Sequence, residues 1–295
     1  MTSTSRSGGA DTTVSTLPAA TIAARRRAFR QLHESGCFVI PNPWDAGSAR
    51  YLQSLGFRAL ASTSSGYAWS QAHADNHITR TMSLTHLREL VEASELPVNA
   101  DFENGFGADA AAVGESVTLA LRTGVAGLSI EDSTGEAAAP LFELPVAVER
   151  IRAARAAIDA AGGDAMLIGR AEGFLHGKPD LGDAIKRLQA YAAAGADCLY
   201  APGIRTPEQI RAVVDAVAPK PVNLLIGWAS EMTLADAAAL GVRRISVGGA
   251  LARAAWGGFQ RAATALKEGR FDGFAGAASG QELNALFAER DAASR

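Results

Sequence analysis

Eight times along this chain a short apolar run is followed by a helical pattern, and that alternation constrains the fold more than any other feature. The runs fall at 37–40, 59–62, 97–101, 127–131, 166–170, 198–201, 221–225 and 244–247. Apolar stretches this short read as strands buried on both faces. Segments with apolar residues at helical spacing separate them, at 45–55, 83–94, 108–122, 145–161, 180–194, 206–217 and 231–240, and a last one opens at Gly248-Gly249 and runs to 267. Asp45 and Ser83 read as helix N-caps, and Gly56, Gly124, Gly195 and Gly241 as the residues that end helices. Every connection is long enough for a crossover, so the strands run parallel. Eight such units over roughly 230 residues predict an α/β fold, a closed (β/α)8 barrel of the TIM type. A doubly wound open sheet is the alternative. No dinucleotide-type glycine fingerprint follows the first strand, which favours the barrel.

The flanks stand outside the repeat. Residues 1–20 are rich in Ser, Thr, Gly and Ala and read as a flexible tail without the apolar centre of a secretory signal. A basic helical pattern at 19–35, with Arg25, Arg26, Arg27 and Arg30, reads as a solvated helix face. The barrel domain is expected over 21–268, followed at 269–295 by a glycine-rich hinge and a C-terminal extra helix free for exchange between subunits. A net charge of -3 offers no basic field to nucleic acid or to an anionic membrane. Both cysteines, Cys37 and Cys198, lie inside apolar runs, and no run approaches a membrane span. The expectation is a cytoplasmic protein.

In a barrel of this kind, chemistry sits at the C-terminal ends of the strands. The third strand ends in Asp101-Phe102-Glu103-Asn104-Gly105-Phe106-Gly107. Residues two apart point to the same side, so Asp101 and Glu103 face one spot. Like charges so placed need a cation or a shared proton, and Mg²⁺ held by carboxylates and water is the economical explanation. The other ends bring Asn42, Trp44 and Asp45; Thr63, Ser64, Ser65 and Gly66; Glu131 and Asp132; Arg170 and Glu172; then Pro202, Trp228, Gly248 and Gly249. The hydroxyls and N–H groups of 63–66 suit an anionic ligand group. Arg170 suits a carboxylate held bidentately, or else a salt bridge to Glu131 or Glu172. The polar stretch 63–80 reads as a long functional loop.

Pro41-Asn42-Pro43-Trp44-Asp45-Ala46-Gly47-Ser48-Ala49, the Asp101–Gly107 segment, Gly127-Leu128-Ser129-Ile130-Glu131-Asp132 and Gly169-Arg170-Ala171-Glu172 occur in this order on successive strands. In them the chain resembles the isocitrate lyase and phosphoenolpyruvate mutase superfamily, over about residues 24–258. The resemblance implies a Mg²⁺ enzyme, with Mn²⁺ as the alternative, that acts on a 2-oxo acid or related carboxylate through an enolate. It implies Asp101 as the direct metal ligand, with Asp75, Glu103 and Glu131 holding metal-bound waters. Thr63, Ser64, Ser65 and Arg170 would grip the substrate carboxylate, with Trp44 and Asp101 beside it. A homotetramer built as a dimer of dimers is also implied.

One loop departs from the pattern. Lyases of this superfamily carry Lys-x-Cys-Gly-His after the fourth strand, and phosphonate-handling members carry lysine and asparagine there. Here 133–143 reads Ser-Thr-Gly-Glu-Ala-Ala-Ala-Pro-Leu-Phe-Glu. Glu136 is the loop's acid/base candidate, beside Arg170 and Glu131 as catalytic residues, with Tyr67, His73 and His176 as further candidates. Pro202 stands where a Glu or His is common, and Trp69, Trp228 and Leu141 are placed to line an apolar end. The expected activity is a C–C lyase, hydrolase or decarboxylase. The alternatives are a C–P bond enzyme and a 2-oxo acid binding protein with little catalysis.

Overall fold

The computed structural model describes residues 12–293, so most of the tail expected at 1–20 lies outside the described residues. Eight strands form one parallel sheet: β1 Phe38–Ile40, β2 Leu60–Ala61, β3 Val98–Asp101, β4 Gly127–Glu131, β5 Met166–Arg170, β6 Cys198–Tyr200, β7 Val222–Leu225 and β8 Arg244–Ser246. Their order, β1-β8-β7-β6-β5-β4-β3-β2, follows the chain around a ring. The seam between β1 and β2 is held by Ala61 N donating to Pro41 O at 3.0 Å and Asn42 Nδ2 donating to Ser62 O at 2.9 Å. The fold is a (β/α)8 barrel, and this sequential order excludes the doubly wound sheet.

The helices are α1 Ala19–Leu32, α2 Ala46–Ser54, α3 Ser64–Ser70, α4 Arg80–Ala93, α5 Ala110–Arg122, α6 Leu144–Ala160, α7 Leu181–Ala193, α8 Pro207–Val217, α9 Leu234–Ala239, α10 Ala250–Lys267 and α11 Gly280–Ala293. Asp45 caps α2 through Ser48 N as expected. Ser83 does not cap α4: Thr79 does, by accepting from Met82 N, and Ser83 lies buried one turn inside. Thr233 starts α9 two residues later than expected, in a reciprocal cap with Asp236. Gly124 and Gly195 close their helices at φ 89° and 107°, where a side chain would be strained. Helix α11 lies back against α2, with the Arg50 guanidinium 6.0 Å from the Phe287 ring centre. No helix among the described residues is long and apolar enough to cross a membrane.

Helix α1 plugs the N-terminal mouth of the barrel. Phe29 is buried among Phe38, Ile40, Ala126 and Ile168. Arg27 is exposed, as the sequence reading has it, but the rest of the basic face is engaged by the protein. Arg26 donates to Leu121 O and Val125 O and pairs with Asp164 at 2.8 Å, while Arg30 donates to the carbonyls of Gly163, Asp164 and Ala165. Loops entering the strands leave carbonyls without ladder partners, and the arginines supply the donors. Residues ahead of α1 are also tied down, Ser15 N to Arg122 O and Thr16 N to Glu92.

Two buried histidines give the barrel an acid limit. Burial pushes His86 down to about 3, and burial followed by the Arg244 charge does the same to His33. The unfolded chain takes up these protons near pH 6.5, whereas the folded chain takes them up near 3. Stability is therefore full above that unfolded value and falls as pH drops toward 3, by up to roughly 1.4 kcal/mol per pH unit for each histidine. His86 stacks on Tyr67 at 3.9 Å and its Nε2 has no partner. His86→Phe is therefore expected to move the acid-unfolding midpoint, followed by circular dichroism, to lower pH. An unmoved midpoint would assign acid sensitivity to other groups.

Candidate active site

A cavity of about 190 Å³ opens at the C-terminal rim of the strands. Thr63, Ser64, Ser65, Asp75, Asp101 and Arg170 line it, and its floor continues into the barrel lumen. Strand register explains the grouping. Asp101 pairs with Ser129, and Glu131 with Arg170, so alternate inward residues of β3, β4 and β5 converge.

The polar stretch after β2 is not one long loop. Thr63 accepts from Gly66 N and caps the two-turn helix α3. Low-propensity Ser and Gly residues hide this helix from a reading by composition. Its first residue meets the acid of β3: the N–H and hydroxyl of Ser64 both donate to Asp101 Oδ2 at 2.9 Å. The chain then returns over the rim through positive φ at Ala72 and Asn76, which sets Asp75 at the cavity mouth.

Arg170 sits among acids. Its Nη1 lies 2.9 Å from Asp101 Oδ1 and 3.2 Å from Glu131 Oε2, and its Nε and Nη2 face the two oxygens of Glu172. The guanidinium also lies over the Tyr200 ring, 5.1 Å from its centre. Burial alone would lower its pKa, but the Glu172, Glu131 and Asp101 carboxylates together outweigh that and raise it. The salt bridges to Glu131 and Glu172 are therefore present, and Arg170 also lines the cavity.

Five carboxyl groups, Asp75, Asp101, Glu103, Glu131 and Glu172, surround this one guanidinium. The imbalance shows in their protonation. Burial pushes Glu103 up to about 8, with Asp101 and Asp75 adding to the shift. Glu131 is raised as well, by burial first, with Arg170 opposing and the neighbouring acids adding. Glu103 is held at φ 47°, a strained backbone for a side chain of its size, and its buried Oε1 has no hydrogen-bond partner. No three His, Cys, Asp or Glu side chains among the described residues form a ready coordination cage. The donor set, carboxylate oxygens gathered at one rim, fits the chemistry of a hard divalent cation.

Asp132 is structural. It is buried, accepts from Tyr191 Oη at 2.6 Å and from Arg187 Nη1 at 3.1 Å, and anchors Glu172 N at 2.8 Å. The loop at 133–143 is a tight excursion closed by a bridge between Ser133 and Leu141. Glu136 lies exposed on it, away from the cavity lining, and His176 meets its base through Ser133 Oγ at 3.1 Å. Trp44 is also outside the lining. It packs behind α3, where a Cβ on Gly66 would come within 3.1 Å of the Trp44 Cβ, and it faces a separate recess with Trp256 and Phe259. Tyr67 is engaged with His86, while His73 borders another recess with Trp69. Trp228 stacks under Arg205 at 4.2 Å. Sequence reasoning missed Leu175, in the loop after β5, and Tyr200, Asn223, Arg244 and Ser246, which line the cavity below the rim.

Comparison with known proteins gives concordant matches. The family model described as phosphoenolpyruvate phosphomutase matches residues 29–267. An oxaloacetate decarboxylase of Paraburkholderia xenovorans is 34% identical over 232 residues, 75% of this chain and 74% of that protein. A crystal structure from Burkholderia cenocepacia, described only as a lyase/mutase, is 49% identical with a TM-score of 0.88, covering 92% of this chain and 98% of that one. An oxaloacetate acetylhydrolase solved with its product oxalate is 26% identical with a TM-score of 0.81, covering 92% of this chain and 96% of that one.

Proposed function

The chain belongs to the phosphoenolpyruvate phosphomutase family, and from that premise we propose that it is a divalent-metal-dependent enzyme that removes CO₂ from an oxaloacetate-type 2-oxo dicarboxylate. One observation carries the reading: a rim where five acids outnumber one arginine and Glu103 keeps an unpartnered oxygen. Such a rim favours a cation, and a 2-oxo carboxylate is the ligand that chelates one. Asp101 would hold the cation, with Glu103, Asp75 and Glu131 holding its water. When bound there, Mg²⁺ or Mn²⁺ supplies Lewis-acid polarisation of the 2-oxo group.

The chain's own groups do the rest. Ser64, Ser65 and Arg170 orient the 2-oxo carboxylate. As the C–C bond to the departing carboxylate breaks, its electron pair moves into the 2-oxo group and forms an enolate. Arg170 meets the developing charge. CO₂ leaves neutral, so no acid is needed at the leaving group. A proton is needed only afterwards, at carbon, and water can bring it. That requirement matches a 133–143 loop without Cys, His or Lys. Retro-aldol cleavage and C–P chemistry ask more of the same loop.

The test is pyruvate formation from oxaloacetate with Mg²⁺, measured against the metal-only reaction and against chelator. Formation above the metal-only rate, lost with chelator, is expected. Turnover of phosphonopyruvate instead, seen by phosphorus NMR, would move the assignment to C–P chemistry. Tight oxalate binding without turnover of any 2-oxo or 2-hydroxy acid would make it a binding protein.

A further inference from the structure

Polar residues continue below the rim. The registers Glu131 with Arg170, Arg170 with Tyr200, Tyr200 with Asn223 and Asn223 with Arg244 form one unbroken row across β4 to β8. Arg170 is the last residue of β5 and Arg244 the first of β8, so the row descends into the lumen, as strand tilt in a barrel requires. Arg244, Asn223 and Ser246 line the same cavity as Asp101 and Arg170.

Arg244 is 2% exposed and has only neutral partners. Its Nε donates to Asn223 Oδ1 at 2.8 Å, and its Nη1 lies 3.4 Å from His33 Nε2. His33 Nδ1 donates to Phe29 O at 2.8 Å, which leaves Nε2 as the acceptor of a neutral ring. Burial holds that ring neutral, with the Arg244 charge adding. Asn223 Nδ2 is spent on Ser246 Oγ at 3.0 Å. The ionisable groups beside Arg244 are Cys198 and Tyr200, and burial raises both, so neither supplies a negative charge. The hydrogen bonds of Arg244 among the described residues engage its Nε and Nη1, and its guanidinium lies 6.0 Å from the centre of the Phe29 ring. Arg26, Arg170 and Arg187, in contrast, each have a carboxylate. A guanidinium stays charged in a protein, and a buried charge without a counter-ion is destabilising.

We propose that the lumen below the rim is an anion subsite, in which Arg244 binds a compact oxyanion of carboxylate size between the neutral walls of Asn223 and Ser246. Two sources share that chemistry: the second carboxylate of a dicarboxylate reaching down from the rim, and a free small anion. The subsite does not depend on the proposed reaction.

The probe is sodium formate, titrated calorimetrically into the full chain with and without magnesium oxalate on the rim. Formate is expected to bind the wild type in both states. Its affinity is expected to fall at least about tenfold in Arg244→Met, and less in Arg244→Lys, which keeps a charge but loses the planar fork. Circular dichroism melts establish that both variants fold. Succinate that displaces formate and oxalate together assigns the subsite to a dicarboxylate, and succinate that displaces oxalate alone assigns it to a free anion. Absent formate binding in the wild type, or unchanged binding in a folded Arg244→Met, would overturn the proposal. Missing oxalate binding would instead remove the rim reading and leave the formate result standing.

Discussion

Asp101→Ala is expected to lower kcat/KM for the cleaved dicarboxylate by roughly a thousandfold and to abolish magnesium-dependent oxalate binding. Asp101 stands between both halves of the rim. One oxygen accepts twice from Ser64 and the other faces Arg170. As the proposed direct ligand it would fix where the cation sits, and so where a chelating 2-oxo acid can lie. The acids around it would act at one remove through water, and replacing Asp75 should cost only about 10–100-fold. The fold should survive the loss of Asp101. Arg170 keeps Glu131 and Glu172, and Glu103 loses one of the charges that raise it. Asp101→Asn, which keeps the shape without the charge, should be as inactive as Ala while melting near the wild type. Retained turnover in either variant would refute the cation-centred rim.

The barrel was legible because its signal repeats. Eight apolar runs and the glycines that end helices recur at one period, so an error in any single unit leaves the count intact. The rim acids were legible for a similar reason, since strand ends are fixed once the strands are. What could not be read was whatever depended on a distant partner. Arg26 and Arg30 look like a solvated face until the carbonyls at 121, 125 and 163–165 are brought beneath them. Helix α3 is carried by one cap and by close packing of Gly66 on Trp44, not by propensity. The lumen did leave a trace. Parallel strands covered on both faces usually read as continuous apolar runs. Here β8 is Arg244-Ile245-Ser246, and β3 is Val98-Asn99-Ala100-Asp101. That alternation marks an inner face that is polar.

Arg170 should separate substrate binding from metal binding. Arg170→Gln is expected to raise KM for a 2-oxo dicarboxylate by roughly a hundredfold, since a charge-assisted bidentate contact is lost. Affinity for Mg²⁺ should move the other way, or hold. In the protein alone the guanidinium occupies the Asp101 oxygen at 2.9 Å and offsets the charge of Glu131 and Glu172. It therefore competes with a cation for the same acids, and a neutral glutamine would not. The variant leaves three acids less well paired, so the metal-free protein should also melt earlier and recover more stability from Mg²⁺ than the wild type does. Opposite signs in the two affinities, measured by calorimetry with oxalate and with Mg²⁺ alone, would fit an arginine that shares its acids with the cation and turns to the substrate when the cation arrives. A parallel loss of both would mean that Arg170 builds the metal site, and the division of labour argued for this rim would have to be redrawn.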